Sequence, residues 1–167
     1  MSEYDYDDEL LLDEEEDDQD IMYLTFSSGD EDFGISIIKI REIVAVQKIT
    51  KLPDTPSYVK GVINLRGKTI PVIDLRLRFG LEEREYDSRT CIIIVELTDS
   101  SFGLIVDRVA EVVAIAENDI NHQIRNGSTV NKNYISGIGK IGDQLKILLD
   151  IENILDDQLI DSIVKQS

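Results

Sequence analysis

The sequence predicts a mainly β protein: two SH3-like five-stranded β-barrels related by a pseudo-twofold repeat, with a C-terminal helix. Three observations predict it. Phe33 through Val46 lies over Phe102 through Ile115 at an offset of 69, with Phe, Gly, Glu, Val and Ala coinciding. Gly61 through Leu75 lies over Gly137 through Ile151 at an offset of 76, with Val72-Ile73-Asp74-Leu75 over Leu148-Leu149-Asp150-Ile151. Both blocks are short runs rich in Ile and Val, bounded by turn residues, which is strand composition. A barrel of roughly seventy residues is marginal alone, so two copies should share a buried face and leave a groove between them.

The elements follow in order. Each copy opens with a strand-like run, Ile21–Phe26 and Cys91–Leu97. Ser28 to Asp32 and Thr98 to Ser101 are hairpin turns by composition. Pro53 and Pro56 punctuate the loop before a strand over Tyr58–Asn64. Leu65-Arg66-Gly67-Lys68 is a turn into a strand over Thr69–Asp74, where Pro71 suggests an edge or bulge position. The seven extra residues of the second copy fall around Asn121, Asn126, Gly127, Ser128 and Asn131. Ile151, Ile154, Leu155, Leu159 and Ile163 stand near helical spacing, which predicts an amphipathic helix over about 151–165. Barrel one is placed over about 21–84 and barrel two over about 85–155. The alignment does not decide which strand closes which barrel, because the first strand of one copy could complete the other.

Charge is placed unevenly. The 167 residues carry a formal net charge of −17. Residues 1–20 hold twelve acids and no base, so the remaining seventeen bases face twenty-two acids. Such density repels itself and cannot bury enough surface to order a backbone, so residues 1–20 read as a disordered, solvated tail. Leu10, Leu11 and Leu12 are the feature that would serve a partner-binding arm. The acidic balance argues against nucleic acid and against an anionic membrane surface. The longest apolar stretch, Cys91–Val95, is too short to span a bilayer, and no secretory signal opens the chain. A single cysteine fits a reducing, cytoplasmic setting.

No catalytic machinery is visible. Gly137-Ile138-Gly139-Lys140-Ile141-Gly142 matches a dinucleotide fingerprint literally, but that motif needs a helix next, and here another strand follows. No cofactor or metal is expected. His122 is the only histidine and has no partners at triad or zinc spacing. Cys91 heads a strand where the first copy has Met22. Asp74 and Asp150 recur at equivalent strand ends, where such residues cap turns or the following helix. A hydrolase would require Asp74 or Asp150, His122 and Cys91 to converge in one pocket. Arg66 is different: it sits at a tight turn, its repeat counterpart is Gly142, and the barrel does not require it. A guanidinium there is suited to docking carboxylates and carbonyls.

These residues resemble the CheW family of bacterial chemotaxis coupling proteins over about residues 21–157. The resemblance rests on Phe33-Gly34-Ile35 through Ile40-Arg41-Glu42-Ile43, on Lys60-Gly61-Val62-Ile63-Asn64-Leu65-Arg66-Gly67, on Ile70-Pro71-Val72-Ile73-Asp74-Leu75-Arg76, and on Gly103-Leu104-Ile105-Val106-Asp107-Arg108-Val109. It implies a non-catalytic adaptor between chemoreceptor (methyl-accepting chemotaxis protein) cytoplasmic tips and the regulatory domain of the histidine kinase CheA, in membrane-associated arrays. It places receptor contact on Ile40, Gly61, Arg66, Cys91 and Val112, and kinase contact on Glu42, Ile43 and Thr50. Cys91 departs from the usual aliphatic residue, and the acidic tail lies outside the common pattern. A CheW-like module of another receptor–kinase pathway is the alternative; a CheV-type relative needs an attached receiver domain, for which 167 residues leave no room.

Overall fold

A computed structural model describes residues 20–123, 130–156, 159–161 and 163. The expected tail lies outside the described residues except for Asp20, which pairs with Ala116. Eleven strands are described: β1 (Asp20–Ser28), β2 (Glu31–Ser36), β3 (Ile40–Ala45), β4 (Val59–Leu65), β5 (Lys68–Asp74), β6 (Cys91–Leu97), β7 (Ser100–Val106), β8 (Arg108–Ala116), β9 (Ile120–Asn121), β10 (Ile135–Ile141) and β11 (Gln144–Leu149). They form a six-stranded sheet, β8-β1-β2-β11-β10-β9, and a five-stranded sheet, β3-β6-β7-β5-β4.

The repeat copies and the sheets divide the chain differently. Hairpin β1–β2 of the first copy joins the sheet of the second, through a parallel ladder pairing Phe33 and Gly34 with Ile147 and Leu148. Hairpin β6–β7 of the second copy joins the sheet of the first in the same way, pairing Gly103, Leu104 and Ile105 with Val72, Ile73 and Asp74. The duplicated Phe-Gly therefore marks the two crossing points. A Cβ on Gly103 would lie 2.7 Å from both Ile92 Cγ2 and Val72 Cγ1, so only glycine lets these strands close.

Three apolar clusters result. Ile63, Ile70, Val72, Ile92, Ile94 and Ile105 fill the five-stranded sheet. Tyr23, Ile115, Ile120 and Leu148 fill the six-stranded one. The largest cluster lies between the sheets and includes Phe26, Phe33, Ile73, Phe79, Ile93 and Leu104. The shared face is thus the main core, which is how two marginal modules become one stable body.

Neither sheet closes through a continuous ladder, yet the two-module SH3-like fold is present. In the five-stranded sheet the edges meet at one isolated bridge, Thr50 to Val62, with both backbone bonds at 2.8 Å. In the other, Asn121 of β9 pairs with Ile138, the repeat mate of Val62.

Hairpins match their turn chemistry. Arg66 and Gly67 both have positive φ (51° and 84°), the geometry of a two-residue turn that follows strand twist. Pro71 is not on an edge strand, since β5 lies between β7 and β4. The ladder to β7 begins at Val72, one residue later, so the missing N–H falls where that side of β5 is unpaired.

The C-terminal helix is broken where one continuous helix was expected. A single turn, Ile151–Ile154, ends at Leu155, and helical residues resume at 159–161 and 163. The Asp156 carboxylate accepts from Leu159 N at 2.9 Å, so its side chain competes for the backbone and starts a new turn. The predicted apolar face is correct: Ile151, Ile154, Leu155, Leu159 and Ile163 are all buried.

Candidate functional site

Strand β3 is an edge strand, and its alternation leaves Arg41, Ile43 and Ala45 exposed. A register shift between Ile40 and Glu42 re-aims the strand at this point. Glu42 is thereby brought to the β4–β5 turn, where it pairs with Arg66 Nη2. Asn64 Oδ1 accepts from Gly67 N at 2.9 Å and holds that turn. Arg66, Glu42, Arg41, Leu65, Lys68, Ile70, Ile94 and Ser101 line a cleft of about 160 Å³. Arg41 also pairs with Glu96 at 2.6 Å. The cleft mouth combines an apolar floor with three bases, of which Arg66 and Arg41 are paired with Glu42 and Glu96.

The structure brings some predicted site residues together and separates others. Arg66 and Glu42 touch. Thr50 and Gly61 also meet: Gly61 has φ +140°, and a Cβ there would lie 2.1 Å from Thr50 O. Gly61 is thus a spacer that lets the Thr50 segment lie on β4. Ile40 and Cys91 stand at opposite ends of the β3–β6 ladder, paired with Val95 and Ala45. Cys91 is half-buried, with Sγ 3.3 Å from Arg89 O. Val112 is on the edge strand of the other sheet and is 51% exposed. Its repeat mate at offset 69 is Ile43, also on an edge strand and 41% exposed.

The residues a hydrolase would need do not converge. Asp74 is buried, caps the helical turn Leu75–Arg78 through Arg76 N and Leu77 N, and accepts from Tyr86 OH at 2.8 Å. Burial and this bond to Asp74 push the Tyr86 phenol well above its usual range. Asp150 caps the turn Ile151–Ile154 through Asn153 N. His122 faces Ser136 O at 3.1 Å and Glu117 Oε1 at 2.8 Å. Asp74 and Cys91 adjoin one sheet, His122 and Asp150 the other. The capping role expected for both aspartates is the one they have. The glycine motif at 137–142 forms β10 and a hairpin, with no helix after it. Among the described residues no His, Cys, Asp and Glu are grouped to hold a metal, and no helix is long and apolar enough to cross a membrane.

Two groups were not singled out from sequence. Arg76 Nη1 donates to Asp107 Oδ2 at 2.7 Å. Arg78 lies over the rings of Tyr58 and Tyr134, 4.5 and 5.0 Å from their centroids. Tyr58 and Tyr134 are repeat mates at offset 76, a signal the sequence already contained.

A duplicated β module that carries an Arg-lined cleft and exposed apolar edges has the surface of a binding scaffold. Comparison with known proteins gives its family. The model of the CheW-like domain matches residues 22–159. Chemotaxis protein CheW of Helicobacter pylori is 37% identical over 142 residues, covering 85% of this chain and 86% of that protein. Chemotaxis protein CheW of Klebsiella aerogenes is 34% identical over 146 residues, covering 86% and 88%. The crystal structure of scaffolding protein TtCheW from Thermoanaerobacter tengcongensis superposes with a TM-score of 0.78 at 38% identity, covering 84% of this chain and 95% of that one. The chain belongs to the CheW family. It is a chemotaxis adaptor and scaffold, not an enzyme.

Proposed function

We propose that this adaptor couples chemoreceptor cytoplasmic tips to the histidine kinase CheA in the cytoplasm, at membrane-associated arrays. Receptor contact falls on Ile40, Gly61, Arg66, Cys91 and Val112. Kinase contact falls on Glu42, Ile43 and Thr50. The observation that carries this reading is the Arg66–Glu42 pair, which joins a residue of the first set to one of the second at the mouth of one cleft. A receptor carboxylate or carbonyl that engages the Arg66 fork competes with Glu42, so one partner's binding changes the group offered to the other. Thr50 against Gly61 supplies a second such contact. An adaptor of this kind passes a signal by binding partner states with different affinities.

The test is a reconstitution with a CheA-type kinase and a receptor cytoplasmic fragment. The chain should retain both in a pull-down and support receptor-dependent kinase activation. Arg66→Ala and Arg66→His should weaken that activation with the unfolding transition unchanged. Normal activation by both variants would overturn the assignment of Arg66, and retention of neither partner by the unsubstituted chain would overturn the reading as a whole.

A further inference from the structure

We infer that Arg78 is a positioning residue that sets the angle between the two sheets from a place on their pseudo-twofold axis. Around a twofold axis, a residue can touch its own mate only if it lies at the axis. Arg78 does this. Its mate at offset 76 is Ile154, and Arg78 Nε and Nη2 both donate to Ile154 O, at 3.0 and 2.8 Å. The flanking rings are mates of each other: Tyr58 precedes β4 in one sheet, and Tyr134 precedes β10 in the other. The guanidinium lies over both. Each tyrosine is anchored alike, since Asp74 N donates to Tyr58 O and Asp150 N to Tyr134 O, both at 2.8 Å.

The first copy thus supplies one cation, and the second supplies the carbonyl that receives it. The side chain is 9% exposed, so little water competes for its bonds. Arg78 Nη2 also stands 3.4 Å from the exposed Asp156 carboxylate. Phe79, next in sequence, lies tilted against Phe33 at 5.2 Å and 6.1 Å from Tyr134, continuing the contact into the shared core. An arginine fills this role where lysine cannot, because only a planar fork stacks on a ring while donating two bonds to one oxygen. The apolar contacts between sheets are close-packed but non-directional, so they carry no hydrogen-bond geometry across the seam. The clip is directional and sits where rotation of one sheet against the other would break it.

The test uses the full chain with Cys91→Ala, carrying spin labels at Lys68→Cys and Gln144→Cys. These positions are exposed mates, one in each sheet. Pulsed electron resonance should give a narrow label–label distance distribution. Arg78→Lys and Tyr134→Leu should each broaden it, while amides of Ile92–Ile94 and of Ile115 and Leu148 keep their exchange protection. Tyr134→Phe, which keeps the ring, should restore the narrow distribution. An unchanged distribution in Arg78→Lys or, if that variant does not fold, in Tyr134→Leu would overturn the inference. So would loss of protection in both sheets together, which would make Arg78 a general stabiliser. This measurement needs no partner, so it stands apart from the receptor–kinase reading. Resting on that reading, Arg78→Lys should also lower receptor-dependent activation about tenfold while Ile40, Arg66 and Val112 remain intact.

Discussion

Arg76 and Asp107 form a largely buried ion pair, with Nη1 and Oδ2 2.7 Å apart and side chains 16% and 15% exposed. Each belongs to a different motif block of the sequence. Arg76 follows the end of β5, and Asp107 occupies the crossing from β7 in one sheet to β8 in the other. Asp107 Oδ2 also accepts from Gly29 N at 2.9 Å, in the β1–β2 turn, and lies 3.5 Å from Arg84 Nη1. One carboxylate therefore fastens three segments at a point where the chain changes sheets.

Asp107→Ala should leave Arg76 poorly solvated and Gly29 N without its acceptor. The expected cost is about 2–3 kcal/mol in urea unfolding, the size found when one partner of a shielded pair is removed. A loss below about 0.5 kcal/mol, the range of ordinary surface substitutions, would show that the pair is only a surface contact.

Gly61→Ala should destabilise the five-stranded sheet more than Gly142→Ala destabilises the other. Both positions have positive φ, but a Cβ at Gly142 meets nothing within 4 Å, whereas at Gly61 it strikes the Thr50 carbonyl. Strain of about 1–3 kcal/mol is expected at Gly61, with about 1 kcal/mol at Gly142. Amide exchange at Thr50 and Val62 should accelerate in Gly61→Ala alone.

Arg66→Gly separates stability from coupling. Arg66 is a non-glycine residue at φ 51°, and glycine occupies the equivalent turn position in the second copy. Relief of backbone strain and the larger entropy of the unfolded glycine oppose each other, so the midpoint should shift by less than about 1 kcal/mol. The ion pair it removes is exposed and contributes little. Receptor-dependent activation should nevertheless fall.

Tyr86 should remain protonated above pH 10 in the folded protein. Its raised pKa means that the folded state holds a proton which the unfolded state releases. The stabilisation is complete below pH 10, where both states hold the proton, and declines as pH rises beyond it. Tyrosinate absorbance should show late-ionising phenols, because Tyr23 and Tyr58 are raised by burial as well, and Tyr86→Phe should remove the component that belongs to the Asp74 contact while leaving theirs. Ionisation of every tyrosine near pH 10 before unfolding would contradict the Asp74 contact.

Much of the architecture is readable in the residues. The repeat, the Cys91–Leu97 strand, the two capping aspartates and the buried face of the C-terminal segment all follow from local patterns. The break at Asp156 does not, because helical spacing cannot show that a carboxylate will start a new turn. Nor does the spacer role of Gly61, which depends on where a loop residue eleven positions earlier comes to rest.

Sequence alone determined which segments are strands and that they occur twice, because strand composition and turn residues act over a few neighbours. Tertiary structure alone decided that the two copies exchange hairpins and that Arg78 meets its own mate. An exchanged hairpin presents the same faces to either partner, so alternation and turn signals are identical in both arrangements. The parallel ladders of Phe33 and Gly34 with Ile147 and Leu148, and of Gly103 to Ile105 with Val72 to Asp74, distinguish them, and these form only when the two sheets pack over the shared core.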